Sequence, residues 1–244
     1  MAVSQKNKMG RLGEKNSEKE VSKEIISKIG HEMGNAVTII RCSLNIIRTK
    51  HPQLSEMSYF NTATKEMDYL EELLRDIRNY NRMTKTEKKP LNMNKFLCDI
   101  IESVKMAEFS NDIEISLSES NNREVIYANV DEVKIKQVII NLIKNSCEAI
   151  KEKEYMDNES GKIKVFMYIE KKRKKENCII CVWDNGCGIE KDKINKIFEP
   201  MITYKSGGTG LGLSIVKDII LKHHGNVEAV SDDTGTTFRI SIPK

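Results

Sequence analysis

VDEVKIKQVIINLIKNSCEAI, residues 130–150, is the stretch whose reading decides the fold. Its apolar residues recur at helical spacing, which predicts a helix from about Val133 to Lys151 with Asp131 just ahead as N-cap. Asn141 and Asn145 stand at i and i+4 in this run, so both amides lie one turn apart on the same face. Amides on a helix that enters a core need partners. They either satisfy each other within the protein or face a ligand.

Reading outward, strands are expected at about 162–170 and 178–184, joined by KKRKKE (171–176) as a solvated hairpin tip. A helix from about Gly210 to His224, ended by Gly225, leads to strands near 227–231 and 236–242. Upstream lie a helix near 93–106, a strand-like DIEISLS (112–118) and a short strand at Val125 to Ala128. Helices with several strands predict an α+β layer, one mixed sheet with helices on one face. TKTEKKP (84–90) reads as a charged linker closed by proline, and a domain boundary belongs there.

Ahead of that linker, Ile26, Ile29, Met33, Val37, Ile40, Leu44 and Ile47 recur at spacings of three and four, the mark of a helix with one apolar stripe. It stops at Lys50-His51-Pro52, because proline disfavours continued helix. A second helix carries Ala63, Met67, Leu70, Leu74 and Ile77 and runs out by Thr84. Two such helices with a short loop form an all-α antiparallel hairpin over residues 21–86. A hairpin of this kind buries both seams poorly, so a homodimer built as a four-helix bundle is its natural completion. Residues 1–20 read as a flexible leader, and residues 90–244 as a second domain.

Composition narrows the function classes. The 244 residues carry 40 basic and 36 acidic side chains, a net charge of +4 that gives no ground for expecting nucleic acid as a partner. No run approaches the length of a membrane span and no apolar stretch of signal-peptide length opens the chain, so a cytoplasmic protein, or the cytoplasmic part of a longer one, is expected, with no membrane span in this chain. The six cysteines are scattered, which predicts reduced thiols in mostly apolar settings. Cys178 and Cys181, three apart on a strand, point to opposite faces, which argues against a shared zinc ion or a redox pair.

Three further segments carry chemistry. Strand CIICVW delivers Asp184 into the turn DNGCGI, where Gly186 and Gly188 permit close backbone approach by a ligand. FEPMITYKSGGTGLGLSIV (198–216) opens from a glycine-rich stretch directly into a helix. Gly208, Gly210 and Gly212 free the backbone where N–H groups and the helix dipole favour phosphate. It fits neither GxxxxGK[ST] nor a GxGxxG after a strand. The last is Gly235-Thr236-Thr237-Phe238, a turn running into the final strand.

In this order the segments resemble the N, G1, F, G2 and G3 boxes of the ATP-binding domain of histidine kinases, over roughly residues 90–244. The wider family includes gyrase, the heat-shock ATPase chaperone and MutL. The resemblance implies an α/β sandwich with ATP and Mg²⁺ as ligands, Asn141 and Asn145 near the metal and phosphates and Asn145 as the direct Mg²⁺ ligand. It implies that Asp184 accepts from the adenine amino group while Gly186 and Gly188 make room for the base. Phe198 to Gly210 would be a mobile lid, with Thr203 and Lys205 near the phosphates and the backbone of Gly208, Gly210, Leu211 and Gly212 at the helix start. Glu148, one turn further along, faces either nucleotide or solvent. The ATPases of the family carry a water-activating glutamate where this chain has Asn141, and an amide cannot act as a general base.

IGHEMGNAVT (29–38) resembles the phosphoacceptor box of the same kinases. At about 100° per residue, His31 falls nearly opposite the apolar stripe and is expected exposed. By that resemblance His31 is the phosphoacceptor, Glu32 orients or deprotonates its imidazole, and Asn35 positions water for dephosphorylation of a partner. Gly34 and Ala36 replace the usual arginine and proline and remove the family's kink site. The function expected is autophosphorylation on His31 and transfer to an aspartate of a response-regulator receiver domain. The alternative is a kinase-like scaffold or phosphatase that binds the regulator without productive autokinase activity.

Overall fold

A computed structural model of the chain describes residues 32–81, 86–110, 112–118, 125–155, 159–172, 175–205 and 210–244. Contacts divide it into two compact units, Met1–Thr84 and Lys85–Lys244. His31, Gly208, residues 1–20 and the centre of the KKRKKE tip lie outside the described residues.

The first unit holds helix α1 (32–50), a 3₁₀ turn at Pro52–Glu56 and helix α2 (Ser58–Asn81). Pro52 opens that turn, where its missing N–H costs nothing. Val37 packs with Met67 and Leu74, with Leu44 against them. Arg41 is half-buried and joins the helices through its ion pairs, with Nε 3.0 Å from Glu71 Oε1 and a second contact to Asp68.

In the second unit, strand β1 (Lys89–Asn92) and helix α3 (Met93–Lys105) are followed by β2 (Ile113–Ser118), β3 (Tyr127–Val130) and α4 (Glu132–Lys151). Then come β4 (Gly161–Lys172), β5 (Lys175–Asp184), α5 (Gly212–Lys222), β6 (Asn226–Asp232) and β7 (Gly235–Pro243). One sheet runs in the order β2-β4-β5-β7-β6, parallel at β2/β4 and antiparallel elsewhere, and β1 pairs with β3 in a separate ribbon. The sheet is mixed, as expected.

Strand alternation separates its two faces. Ile163, Val165 and Met167 of β4 stand in register with Asp184, Val182 and Ile180 of β5, and Phe238 and Ile240 of β7 continue that buried face. The helices pack on it, α3 at β2, α4 at β4 and β5, and α5 at β6. The opposite face carries Lys164, Tyr168, Glu170 and Arg239, whose guanidinium bridges Glu170 and Glu228 at 3.0 and 3.7 Å. Helix α4 forms the core with fully buried Ile135, Ile139, Leu142 and Ile143. The Asp131 side chain caps it by accepting from Lys134 N–H at 3.1 Å.

Some expectations need correction. Residues 89–92 form a strand and are no linker: Pro90 is tolerated because its ribbon has only two strands and one edge is free of ladder bonds. Helix α5 begins at Gly212, two residues later than expected, and the left-handed residue after it is His224 (φ 58°), not Gly225. Gly225 is needed for space, since a Cβ there would sit 2.3 Å from Ser241 O. Half of the cysteines, Cys42, Cys98 and Cys187, are exposed and only Cys147, Cys178 and Cys181 are buried. No helix among the described residues is long and apolar enough to cross a membrane.

Candidate functional site

Helix α4 brings Asn141, Asn145, Ser146 and Glu148 along one end of the sheet, and β5 delivers Asp184 beside them. Ser146 Oγ donates to Asp184 Oδ2 at 2.7 Å and Gly186 N–H donates to Oδ1 at 3.0 Å. The Thr236 backbone N–H is a third donor to this carboxylate. Burial pushes the Asp184 pKa up, while these three donors and the nearby Lys205 ammonium pull against it. An ionised carboxylate offers about four lone-pair sites. Three donors leave capacity for one more, which suits an amino group of a ligand.

The turn after Asp184 is shaped for close approach. A Cβ on Gly186 would lie 2.7 Å from the Ala149 carbonyl carbon, and Gly188 holds φ 76° with Asp232 O 2.6 Å from where a Cβ would be. Cys187 N–H donates to Ala149 O at 3.0 Å and fastens the turn to α4. Asn185, which sequence reading passed over, is its main fastener: its Oδ1 accepts from Lys162 N–H at 2.6 Å and its Nδ2 donates to Ser160 O at 2.9 Å. Ser146 was also missed, and its only local signal is a small hydroxyl residue on the buried face of an otherwise apolar helix. On the far side of the turn, Ser231 Oγ accepts from Ile189 N–H at 2.8 Å.

The amides behave differently from each other. Asn141 Nδ2 donates to Gly212 O at 3.3 Å, tying α4 to the start of α5. Asn145 Nδ2 is buried and has no hydrogen-bond partner among the described residues. Orphaned donors of this kind cost free energy unless a ligand satisfies them. Lys205 reaches the same place, with Nζ 2.6 Å from Glu148 Oε2 and 3.4 Å from Asn145 O. Thr203 Oγ1 accepts from the Lys205 main-chain N–H at 3.2 Å and fastens the backbone there. Gly210, at φ 66°, accepts from Met201 N–H at 3.0 Å and holds residue 201 at the approach to α5, where Leu211 is buried.

Asn141, Asn145, Asp184, Gly186, Lys205 and Gly212 are thus linked by direct contacts along α4 or within one bond of it. Glu32 and Asn35 belong to the other unit, both exposed on α1. The orphaned Asn145 amide and the spare capacity on Asp184 fit a nucleotide with a metal ion, since Mg²⁺ needs one or two protein ligands besides phosphates and water.

Residues 130–244 match the family of histidine kinase-, DNA gyrase B- and HSP90-like ATPases. The chain is 30% identical over 224 residues to the sensory histidine kinase/phosphatase NtrB of Rhizobium meliloti (strain 1021), covering 90% of this chain and 58% of that protein. It spans 34% to 58% of the length of three curated relatives it matches. The nucleotide-free catalytic domain of histidine kinase ThkA is similar at 31% identity and TM-score 0.53, over 65% of this chain and 96% of that one. ThkA in complex with the response regulator protein TrrA is similar at 28% identity and TM-score 0.60, over 91% of this chain and 61% of that one.

Proposed function

The chain belongs to the histidine kinases, and from that membership we propose that it moves the γ-phosphoryl group of ATP to His31 and then to an aspartate of a response-regulator receiver domain. The observation that carries this reading is the buried, orphaned Asn145 side-chain amide, on the residue whose main-chain carbonyl the Lys205 ammonium touches: an unmet donor and a cation on the same turn of α4 suit an anion. Asn145 supplies Oδ1 to Mg²⁺ and Nδ2 to a phosphate oxygen. Bound Mg²⁺ neutralises charge on the phosphates. Asp184 accepts from the adenine amino group, and Gly186 and Gly188 let the turn that follows it pack tightly against Ala149 and Asp232.

In the first transfer one imidazole nitrogen of His31 attacks the γ-phosphorus. The N–P bond forms, the bond from phosphorus to the β,γ-bridging oxygen breaks, and ADP leaves with that electron pair. Glu32 orients the other ring nitrogen and takes its proton. Asn141 cannot activate water, so the phosphoryl group is kept for the imidazole. Asn35, exposed one turn beyond His31, positions water when the phosphorylated regulator is hydrolysed. That second activity is favoured by the relative named as both kinase and phosphatase. A relative solved with a response regulator supports the partner class. The domains act as 21–86 for dimerisation and phosphotransfer and 90–244 for ATP binding, in a cytoplasmic homodimer.

Incubation with γ-labelled ATP and Mg²⁺ tests the reading. Acid-labile, alkali-stable label on the parent but not on His31→Ala or Asn145→Ala supports it. Label on His31→Ala, or steady phosphate release without phosphoprotein, overturns it.

A further inference from the structure

Lys205 and Glu148 are 57 residues apart, yet Nζ lies 2.6 Å from Oε2. Their side chains are 29% and 52% exposed, so the pair sits at the rim of the site rather than inside it. The contact does more than decorate a surface. The same ammonium touches Asn145 O at 3.4 Å, one turn of α4 before Glu148, and that residue's Nδ2 is the orphaned donor. Lys205 is also held from behind: Thr203 Oγ1 accepts its N–H, and the Tyr204 ring lies under Lys193 Nζ at 5.0 Å. Lys193 in turn pairs with Glu190. The 203–205 segment is therefore anchored while the Lys205 side chain remains free to choose between acceptors.

We propose that Glu148 is an exchange partner for Lys205, holding its charge beside Asn145 in the nucleotide-free chain and surrendering it to the terminal phosphate of a bound nucleoside triphosphate. The proposal rests on the ATP reading above and adds a positioning residue to it. A carboxylate and a phosphate cannot both keep one ammonium at hydrogen-bond distance. The polyanion carries more charge than a single carboxylate and wins, but the lost pair is subtracted from its affinity. When the terminal phosphate is gone, Lys205 returns to Glu148 and the diphosphate is left without that ammonium. The pair thus separates substrate from product, and Glu148 itself touches no reacting atom.

Calorimetric titration of the full chain with Mg²⁺ and a non-hydrolysable ATP analogue, or with ADP, tests this in four proteins: parent, Glu148→Gln, Lys205→Ala and the double variant. Glu148→Gln removes the competitor and is expected to tighten analogue binding by about two- to fivefold, the worth of a half-exposed ion pair. ADP binding should change by less than the analogue does. In the Lys205→Ala background Glu148→Gln should change neither, because no cation is left to exchange. Equal tightening in both backgrounds would mean that Glu148 simply repels phosphate and would overturn the exchange. Weaker analogue binding by Glu148→Gln would overturn it as well. Absence of analogue binding by the parent is a separate result that sinks the ATP reading, and the exchange with it.

Discussion

Ser146 Oγ donates a 2.7 Å hydrogen bond to Asp184 Oδ2 from α4 to the last residue of β5, and both side chains are buried. The hydroxyl is one of three donors that hold the carboxylate in place against the desolvation that raises its pKa. Ser146→Ala should cost about 1–3 kcal/mol of stability by leaving a buried acceptor short of a donor. It should also raise the Asp184 pKa further and weaken nucleotide binding more at pH 5 than at pH 8. Thermal melts and binding isotherms at the two pH values check this. Unchanged affinity at both would show that Asp184 needs no such support.

Gly186→Ala separates shape from charge at the same turn. An added Cβ meets Ala149 backbone atoms 2.7–2.9 Å away, and backbone of a buried helix cannot yield cheaply. Overpacking of this kind costs about 1–3 kcal/mol. The expected result is a lower melting temperature and loss of adenine-nucleotide binding, with far-ultraviolet circular dichroism unchanged. Retained binding would place the base elsewhere.

His223 yields a pH prediction. Its ring is buried, Nδ1 donates to Ile219 O at 2.8 Å, and Nε2 accepts from Asp131 N–H at 2.9 Å, which requires the neutral tautomer. Burial pushes its pKa below the usual histidine value, and Lys88 and Lys134 act in the same direction while Asp131 opposes them. A histidine whose folded pKa is depressed lends stability that is present above about pH 6.5. That stability is lost as pH falls from there through the folded pKa, where the unfolded chain binds the extra proton. Denaturant midpoints from pH 8 to 5 should fall for the parent and fall less for His223→Gln. Parallel curves would assign the acid sensitivity to other groups.

The sequence pattern carries the mixed sheet and its helices because periods of 3.6 and 2 are local, and α4 and β5 show them cleanly. Strand β1 escaped because Pro90 and the lysines around it read as linker, whereas pairing with β3 decides it. His223 reads locally as a polar helix end, yet its ring caps the N–H of a residue 92 positions earlier. The same holds within the site. Asn141, Asn145, Asp184 and the glycines are visible as types at telling spacings, while the partners that orient Asp184 and its turn, Ser146 and Asn185, are fixed by tertiary contacts that no local pattern encodes.

Helix α1 gives the last prediction. Within its own unit Val37 is buried and Leu44 half-buried against Met67 and Leu74, but Met33, Ile40 and Ile47 stay 46%, 46% and 39% exposed. Those three recur every seven residues, so they form a single line along the helix beside the buried pair. Among the described residues of this unit no third element covers that line, and a second copy in a four-helix bundle would supply one. Sedimentation equilibrium should show a dimer for the parent and a shift toward monomer for Ile40→Glu, which puts a charge in the middle of the seam. The exposed control Lys65→Glu, on α2, should remain dimeric. A monomeric parent at the same concentrations would remove the bundle from the reading and leave the apolar line without a partner of its own kind.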